Sequence, residues 1–205
     1  MRVVAGSAKG RQLKTPPPDS GTRPILDRVK TALFDTLAGD VMDATFLDLF
    51  AGTGAIGIEA LSRGAKAATF IELSQEIAAL VRENLALTRL ADHATVTRSD
   101  AFTYLAYAHR HGATFDIVYV APPQYQGMAA RAFTQLDTAP VTIPGSLVIA
   151  QIDPKERGEL ATLALRNLRL YDERRYGNTL LRFYEHIGEQ DQAPESEPPQ
   201  EPAGE

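Results

Sequence analysis

Residues 47–57 read LDLFAGTGAIG, in which an apolar strand with a carboxylate near its end leads into a glycine-rich turn and the start of a helix. Glycines at positions 52, 54 and 57 permit backbone conformations that other residues avoid, and they admit a ligand close to the main chain. Bulkier side chains here would occupy the ligand's space. The stretch therefore predicts a nucleotide-binding turn between the first strand of a sheet and the helix that follows.

The glycine spacing alone fits two classes of cofactor. Dinucleotide-binding enzymes also carry G-x-G-x-x-G after a first strand, with an acidic residue about 20 positions further on, and Glu72 meets that spacing. Asp48 lies four residues before Gly52, and a carboxylate at that place suits a cationic ligand and repels a pyrophosphate. The residues thus favour S-adenosylmethionine, which carries a sulfonium and an ammonium, and leave an NAD-dependent oxidoreductase as the alternative.

Composition limits the size and the chemistry of the protein. A chain of 205 residues with 44% hydrophobic content is long enough for one well-cored domain and short for two. The absence of cysteine excludes disulfides, thiolate nucleophiles and cysteine-based zinc sites. No apolar run approaches the roughly 20 residues that span a bilayer, and the N-terminus lacks the apolar region of a secretory signal. We therefore expect a cytoplasmic, soluble protein with no membrane partner and no metal.

Charge is distributed unevenly along the chain. The formal net charge is −5, yet residues 188–205 hold six acidic side chains and no Lys or Arg, so the remainder carries +1. Residues 1–30 carry +5, which is a plausible phosphate-binding surface, although ordinary solvated surfaces also hold such clusters. Its candidate contacts with nucleic acid are Arg2, Lys9, Arg11, Lys14, Arg23 and Arg28.

Apolar strand patterns alternate with helical patterns through most of the chain. A helix is predicted from Pro24 to Gly39. The strands that follow are predicted at 45–50, 67–72, 94–98, 115–120 and 147–152, the helices between and after them at 55–63, 74–89, 101–109, 127–137 and 156–165, and a final hairpin around Gly177-Asn178. This alternation predicts an α/β domain with a mostly parallel sheet, helices on both faces and an antiparallel strand from the hairpin.

Three regions follow from these patterns. Residues 1–22 are predicted to form a basic arm for RNA binding, with a short two-stranded segment over the first 14 residues that the prolines at 16–18 end. Residues 23–187 are predicted to form the α/β domain. Residues 188–205 combine Pro, Glu and Gln with nothing apolar to bury, so we expect a disordered acidic tail.

Several segments together make the chain resemble the Rossmann-like S-adenosylmethionine-dependent methyltransferases, and within them the bacterial family that methylates the N2 amine of a guanine in 16S rRNA. The resemblance covers residues 1 to about 187. It implies a seven-stranded sheet, S-adenosylmethionine as cofactor and a monomer that acts on 16S rRNA or an assembling small-subunit particle. The matching segments are MRVVAG at 1–6 with KGR at 9–11, RP at 23–24 with DRVK at 27–30 and ALF at 32–34, residues 48–65, and RYGNT at 175–179.

The resemblance also implies which residues hold the cofactor. Asp48 and the turn would face its methionine part, Glu72 would accept both ribose hydroxyls, and Asp100 would lie near the adenine. Asp100 could equally cap the helix that starts at Ala101. The full predicted set is Asp48, Ala51, Gly52, Gly54, Glu72, Leu73, Asp100 and Ala101.

The loop after the fourth strand carries the predicted catalytic residues Ala121, Pro122, Pro123, Gln124 and Tyr125. Related amino-group methyltransferases have Asp, Asn or Ser before the two prolines and Tyr or Phe after them, so this chain lacks the side-chain acceptor and places its tyrosine one position late. Three outcomes are open. The Pro122 carbonyl and the positioning of the amine are enough for methyl transfer, Gln124 replaces the missing side-chain acceptor, or methyl transfer is lost while binding survives. We favour retained activity. Tyr125, or Tyr119, is a candidate to stack on the extracted base.

Guanine N2 methylation in 16S rRNA is therefore the preferred function. The alternatives are a catalytically impaired RNA-binding homologue that keeps the cofactor site and, with less support, the NAD-dependent oxidoreductase.

Overall fold

Seven strands form one sheet in the computed structural model, which describes residues 1–16 and 25–188. The strands lie in the order β3-β2-β1-β4-β5-β7-β6, in which β1 to β5 are parallel and β7 is antiparallel to both of its neighbours. The predicted sheet and its terminal hairpin are thus confirmed. The strands are β1 (Thr45–Asp48), β2 (Ala67–Glu72), β3 (Ala94–Arg98), β4 (Ile117–Val120), β5 (Leu147–Ile152), β6 (Leu168–Tyr176) and β7 (Thr179–His186).

Helices cover both faces of this sheet. The helices of the described residues are α1 (Asp27–Leu37), α2 (Ala55–Ser62), α3 (Gln75–Thr88), α4 (Ala101–Arg110), α5 (Met128–Thr138) and α6 (Arg157–Ala161). Apolar residues of α1, α2 and α3 share one core with Phe46 of β1, whereas those of α4, α5 and α6 share a second core with Leu47. Successive residues of a strand point to opposite faces, so β1 separates the two cores. All four residues of β4 are buried, as expected for a parallel strand covered on both sides.

Residues 1–16 pack against the domain. An isolated antiparallel bridge joins Arg2 and Gln12, and Val3, Ala8 and Leu13 are buried in the α1–α3 core. Residues 1–16 therefore contribute to the core of the folded domain. Arg23, Pro24 and the acidic tail beyond residue 188 lie outside the described residues.

A buried ion pair anchors the arm. Lys30 of α1 and Glu59 of α2 are fully buried, with 3.1 Å between Lys30 Nζ and Glu59 Oε2. The amides of Val4 and Ala5 donate to the Glu59 carboxylate at 2.8 and 2.9 Å, and Lys30 Nζ also donates to the Arg2 carbonyl. Since buried charges need partners, these bonds hold the arm on both helices.

Asn84 of α3 makes a second attachment. Its fully buried side chain accepts from the Lys14 amide at 2.8 Å and donates to the Lys14 carbonyl at 3.2 Å. The same side-chain amide donates to the Thr53 carbonyl at 3.0 Å. One side chain therefore joins the arm to the glycine turn. No helix within the described parts of the chain is both long and apolar enough to cross a membrane.

Candidate active site

The glycine turn connects β1 to α2 at the carboxyl edge of the sheet. Gly52 and Gly54 have φ values of 52° and 75°, a left-handed region that glycine enters without steric cost. Gly57 has a different role, because a Cβ there would lie 2.3 Å from the ring of Phe70 on β2. The three glycines thus serve the turn conformation and the close packing of α2 that the sequence predicted.

Asp48 lies at the end of β1 and is almost fully buried. Its Oδ2 accepts from the Gly57 amide at 3.2 Å, and its Oδ1 accepts no hydrogen bond from the described residues. Burial raises the pKa of Asp48 to about 7, the Gly57 bond opposes that rise, and the charge of Glu72 adds to it. A buried carboxylate with one uncommitted oxygen is suited to a cationic ligand, whose charge would favour its ionised form.

Glu72 ends β2, the strand next to β1. Its Oε2 accepts from the Gly52 amide at 3.0 Å and its Oε1 from the Ser74 amide at 2.8 Å. Each carboxylate oxygen has a further lone pair, so the fixed, half-buried group can still accept from two ribose hydroxyls. Leu73 follows directly and is 67% exposed, which places an apolar surface beside the carboxylate.

Asp100 follows β3 and begins α4. Its Oδ1 accepts from the Thr103 amide at 2.9 Å and from the Thr103 hydroxyl at 3.1 Å, which makes it the N-cap of the helix. The capping alternative is therefore realised in the structure, and the adenine contact stays a prediction that Oδ2 could serve. Ala51 and Ala101 are buried, so they can offer a ligand little beyond their main chain.

The loop of residues 121–127 follows β4, directly beside the end of β1. Asp48 is paired in register with Tyr119, so this loop starts two residues beyond a position level with the buried carboxylate. Ala121 is half-buried, Pro122 is buried, and Pro123 and Tyr125 are exposed. Gln124 is half-buried. The structure thus brings the predicted catalytic loop and the carboxylates of β1 and β2 to one edge of the sheet.

Two carboxylates hold Tyr125, whose φ of 61° is unusual for a residue with a side chain. The buried Glu156 accepts from the Tyr125 amide at 2.8 Å and from the Asp153 amide at 3.2 Å. Asp153 in turn accepts from the Lys155 amide at 2.9 Å and bonds the Tyr125 side chain. These two hydrogen bonds, with the charges of Lys155 and Arg175, lower the pKa of Asp153. The Tyr125 ring is 59% exposed and fixed in place.

Tyr119 does not offer a stacking surface. It is 2% exposed, and its hydroxyl donates to the side chain of Gln151 on β5. Burial, followed by the charge of Asp48, raises the pKa of Tyr119 well above its usual value, so the hydroxyl stays protonated. Of the two tyrosines considered from the sequence, only Tyr125 presents its ring at the surface.

The basic residues predicted to bind RNA have different surroundings. Arg2 pairs with Asp27 at 3.6 Å and Lys14 with Glu83 at 2.8 Å, while Arg11 donates to the Leu87 carbonyl at 3.0 Å. Lys9 and Arg28 are exposed and form no ion pair with the described residues. Exposed pairs of this kind contribute little to stability, so exchanging their partners for phosphates costs little.

Sequence reasoning missed Asp153, Glu156, Gln151 and Asn84. A signal existed for the first two, because Asp153-Pro-Lys-Glu156 has the spacing of a capping box, and the structure shows both of its hydrogen bonds. Nothing in the sequence indicates that the same glutamate also binds the loop after β4. Gln151 and Asn84 carry no pattern, since their partners are 32 and 70 residues away.

The strand order, the glycine turn, the carboxylates that end two adjacent strands and the double-proline loop define a Rossmann-like methyltransferase that uses S-adenosylmethionine. The chain belongs to the family described as Conserved hypothetical protein 95, whose model matches residues 1–185.

Known relatives agree with this membership. The chain is 42% identical over 138 residues to the Ribosomal RNA small subunit methyltransferase D of Escherichia coli K12, which is 67% of either chain. The solved structure of the Escherichia coli protein yhhF has a TM-score of 0.79 and 33% identity, over 92% of this chain and 99% of that one. The protein SMU.776, solved in complex with SAH, shares the fold with a TM-score of 0.67 at 19% identity, over 80% of this chain and 50% of that one.

Proposed function

We propose that this protein transfers the methyl group of S-adenosylmethionine to the N2 amine of a guanine in 16S rRNA. One observation carries the proposal: the double-proline loop and the carboxylate-lined turn end adjacent strands, with Asp48 and Tyr119 level in the sheet. The similarity to a small-subunit rRNA methyltransferase over two thirds of the chain supports rRNA as the substrate.

The residues of the turn would hold the cofactor, which brings an electrophilic methyl group when bound. Asp48 would stabilise its cationic methionine part and Glu72 its ribose, through charge-assisted hydrogen bonds. Leu73 would cover one side of the adenosine, with Asp100 and Ala101 beside the adenine. These residues fit the group, because a buried carboxylate matches its cationic end and a fixed carboxylate matches a pair of hydroxyls.

The loop would hold the target base. An enzyme that modifies a paired base must take it out of the stack, and the exposed, anchored ring of Tyr125 offers a surface against which it can lie. The Pro122 carbonyl would accept a hydrogen from the amine, whose lone pair is otherwise delocalised into the guanine ring. Gln124, half-buried beside it, is the nearest side-chain acceptor within the loop sequence.

Ala121 lowers the rate without abolishing the reaction. Loss of one acceptor that acts in the transition state costs about 10²- to 10³-fold, whereas holding amine and methyl group in line contributes several kcal/mol that this site retains. The substitution Ala121→Asp should therefore raise kcat by up to about 100-fold and leave the affinity for S-adenosylhomocysteine unchanged. Ala121→Leu is the matched control, since it adds bulk without an acceptor.

The direct test is methyl transfer from labelled S-adenosylmethionine to unmethylated 16S rRNA and to small-subunit particles. We expect label on guanine N2 with the wild-type protein, and comparison of the two substrates shows which one is recognised. Label on a small metabolite and none on RNA would refute the proposal. An inactive wild type with an active Ala121→Asp variant would favour the catalytically impaired homologue. Tight binding of NAD without binding of S-adenosylhomocysteine would favour the NAD-dependent oxidoreductase.

We further propose that the protein acts in the cytoplasm as a monomer without a metal ion. Light scattering after size exclusion should give a mass near 22.3 kDa, and a chelator should leave methyl transfer unchanged.

A further inference from the structure

Three cationic side chains from distant parts of the sequence lie around the tip of the β6–β7 hairpin and the turn after β5. Arg28 comes from α1, Lys155 from the turn after β5, and Arg175 from the end of β6. All three are exposed, and none forms an ion pair with residues 1–16 or 25–188. We call this set the hairpin-side cluster.

The tip of the β6–β7 hairpin brings Arg28 and Arg175 together. Arg175 Nε donates to the Gly177 carbonyl at 3.0 Å, and a Cβ on Gly177 would lie 3.6 Å from the Arg28 guanidinium. Leu180 is paired with Arg175 on one side and with Ile152 on the other. Since adjacent strands lie about 4.8 Å apart, the backbone of Arg175 is about 10 Å from Ile152, the last residue of β5.

The cluster also borders the residue that anchors Tyr125. Lys155 donates its amide to Asp153 at 2.9 Å, and Asp153 bonds the Tyr125 side chain. The charges of Lys155 and Arg175 both act on the Asp153 carboxylate. The two cations therefore act on the carboxylate that bonds Tyr125, the residue that we propose as the stacking surface.

Other arginines of the hairpin are neutralised within the protein. Arg169, Arg174 and Arg182 lie within 3.2 Å of Glu185, Asp172 and Glu173, respectively. Only the end of the hairpin that faces the catalytic loop carries an unpaired charge within the described residues. The three cations of the cluster outnumber the nearby carboxylate of Asp153, and an excess of positive charge next to a nucleic-acid site is suited to phosphates.

We propose that the hairpin-side cluster binds backbone phosphates of the rRNA that flank the target nucleotide. The cluster would thereby hold the strand on the side of the catalytic loop formed by β5 and the hairpin, while residues of the arm hold it elsewhere. This inference rests on the proposed function, because it assigns a second RNA contact to the same site.

The test compares Arg175→Ala and Lys155→Ala with Arg169→Ala. Arg169 is the matched control, since it is an exposed arginine on the same strand about 20 Å away. Affinity for a 16S rRNA fragment is measured by fluorescence anisotropy at several salt concentrations, together with kcat and KM for methyl transfer. Calorimetry with S-adenosylhomocysteine and thermal unfolding report whether each variant is folded and retains its cofactor site.

We expect each cluster variant to weaken RNA binding about tenfold, as for the loss of a charged hydrogen bond, and to reduce the salt slope by about one. KM for RNA should rise with little change in kcat, and Arg175→Lys should recover part of the affinity. The inference is overturned if both alanine variants bind RNA like Arg169→Ala while the wild type methylates it. A wild type that neither binds nor methylates RNA would overturn it together with the proposed function.

Discussion

Replacement of Asp48 by asparagine should separate stability from cofactor binding. Burial raises the pKa of Asp48 from its ordinary value of 3.8 to about 7, which means that the folded protein resists ionisation of this group. A rise of that size corresponds to about 4 kcal/mol. An asparagine side chain at this position would keep an oxygen for the Gly57 amide and carry no charge, so Asp48→Asn should stabilise the cofactor-free protein increasingly as the pH rises from about 4 to about 7.

The sign of the pH dependence follows from proton binding. Between about pH 4 and pH 7 the folded state holds a proton on Asp48 that the unfolded state has lost, so the contribution of this group to stability declines as the pH rises. The free energy of unfolding should therefore be nearly equal for the two proteins at about pH 4. By about pH 8 the variant should be more stable by up to about 4 kcal/mol.

Urea unfolding at several values between about pH 4 and about pH 8 measures this difference. Asp35→Asn is the control, because Asp35 is exposed on α1 and surface substitutions usually change stability by less than about 0.5 kcal/mol. Calorimetry should show weaker binding of S-adenosylmethionine by Asp48→Asn, in spite of its greater stability. A stability difference that stays constant with pH, or a variant that is less stable at the alkaline end of the series, would refute the reasoning.

Three further substitutions test packing, the buried ion pair and stacking. Gly57→Ala should lower the free energy of unfolding by about 1–3 kcal/mol, because its methyl group would meet Phe70; a neutral effect in urea unfolding would contradict this packing. Lys30→Met should cost about 1.5–3 kcal/mol in the same assay, since it removes the fully buried partner of Glu59 and leaves only Arg63, 2.9 Å away; an unchanged midpoint would contradict this role. Tyr125→Ala should lower kcat/KM for RNA about 10- to 100-fold and Tyr125→Phe far less; equal losses would show that the hydroxyl, not the ring, matters.

The fold was largely predictable because the buried faces of its strands and helices leave a pattern of apolar residues in the sequence. β2, β3 and β5 span the predicted residues, and Ser74 caps α3 with its side chain accepting from the Ile77 amide. Periodicity detects such elements because each strand or helix buries a defined face. The glycine turn was equally clear, since its φ values require glycine.

The predicted helix at 156–165 shows the limit of such patterns. It ends at Ala161, and the carboxylate of Asp137 accepts the amides of Arg166, Asn167 and Leu168. The backbone amides that follow α6 thus donate to a side chain about 30 residues away, and not to the carbonyls of a longer helix. Local propensity contains no information about such a contact, because tertiary structure overrides it.

The sequence predicted which residues lie at the candidate site, but only some of the contacts that hold them in position. Its position at the carboxyl edge of the sheet follows from the βαβ order, and the structure brings Asp48, Glu72 and the loop after β4 to that edge. The anchoring of Tyr125 by Glu156 was not predictable, because it depends on how the turn after β5 approaches that loop.

The buried side-chain amide of Asn84 on α3 hydrogen-bonds both Lys14 of the N-terminal segment and Thr53 of the glycine turn. If the arm binds RNA and the turn binds the cofactor as proposed, a shift of α3 should change both affinities together. Variants of residues 1–16 that are selected for altered RNA binding should therefore be assayed for the affinity of S-adenosylmethionine as well.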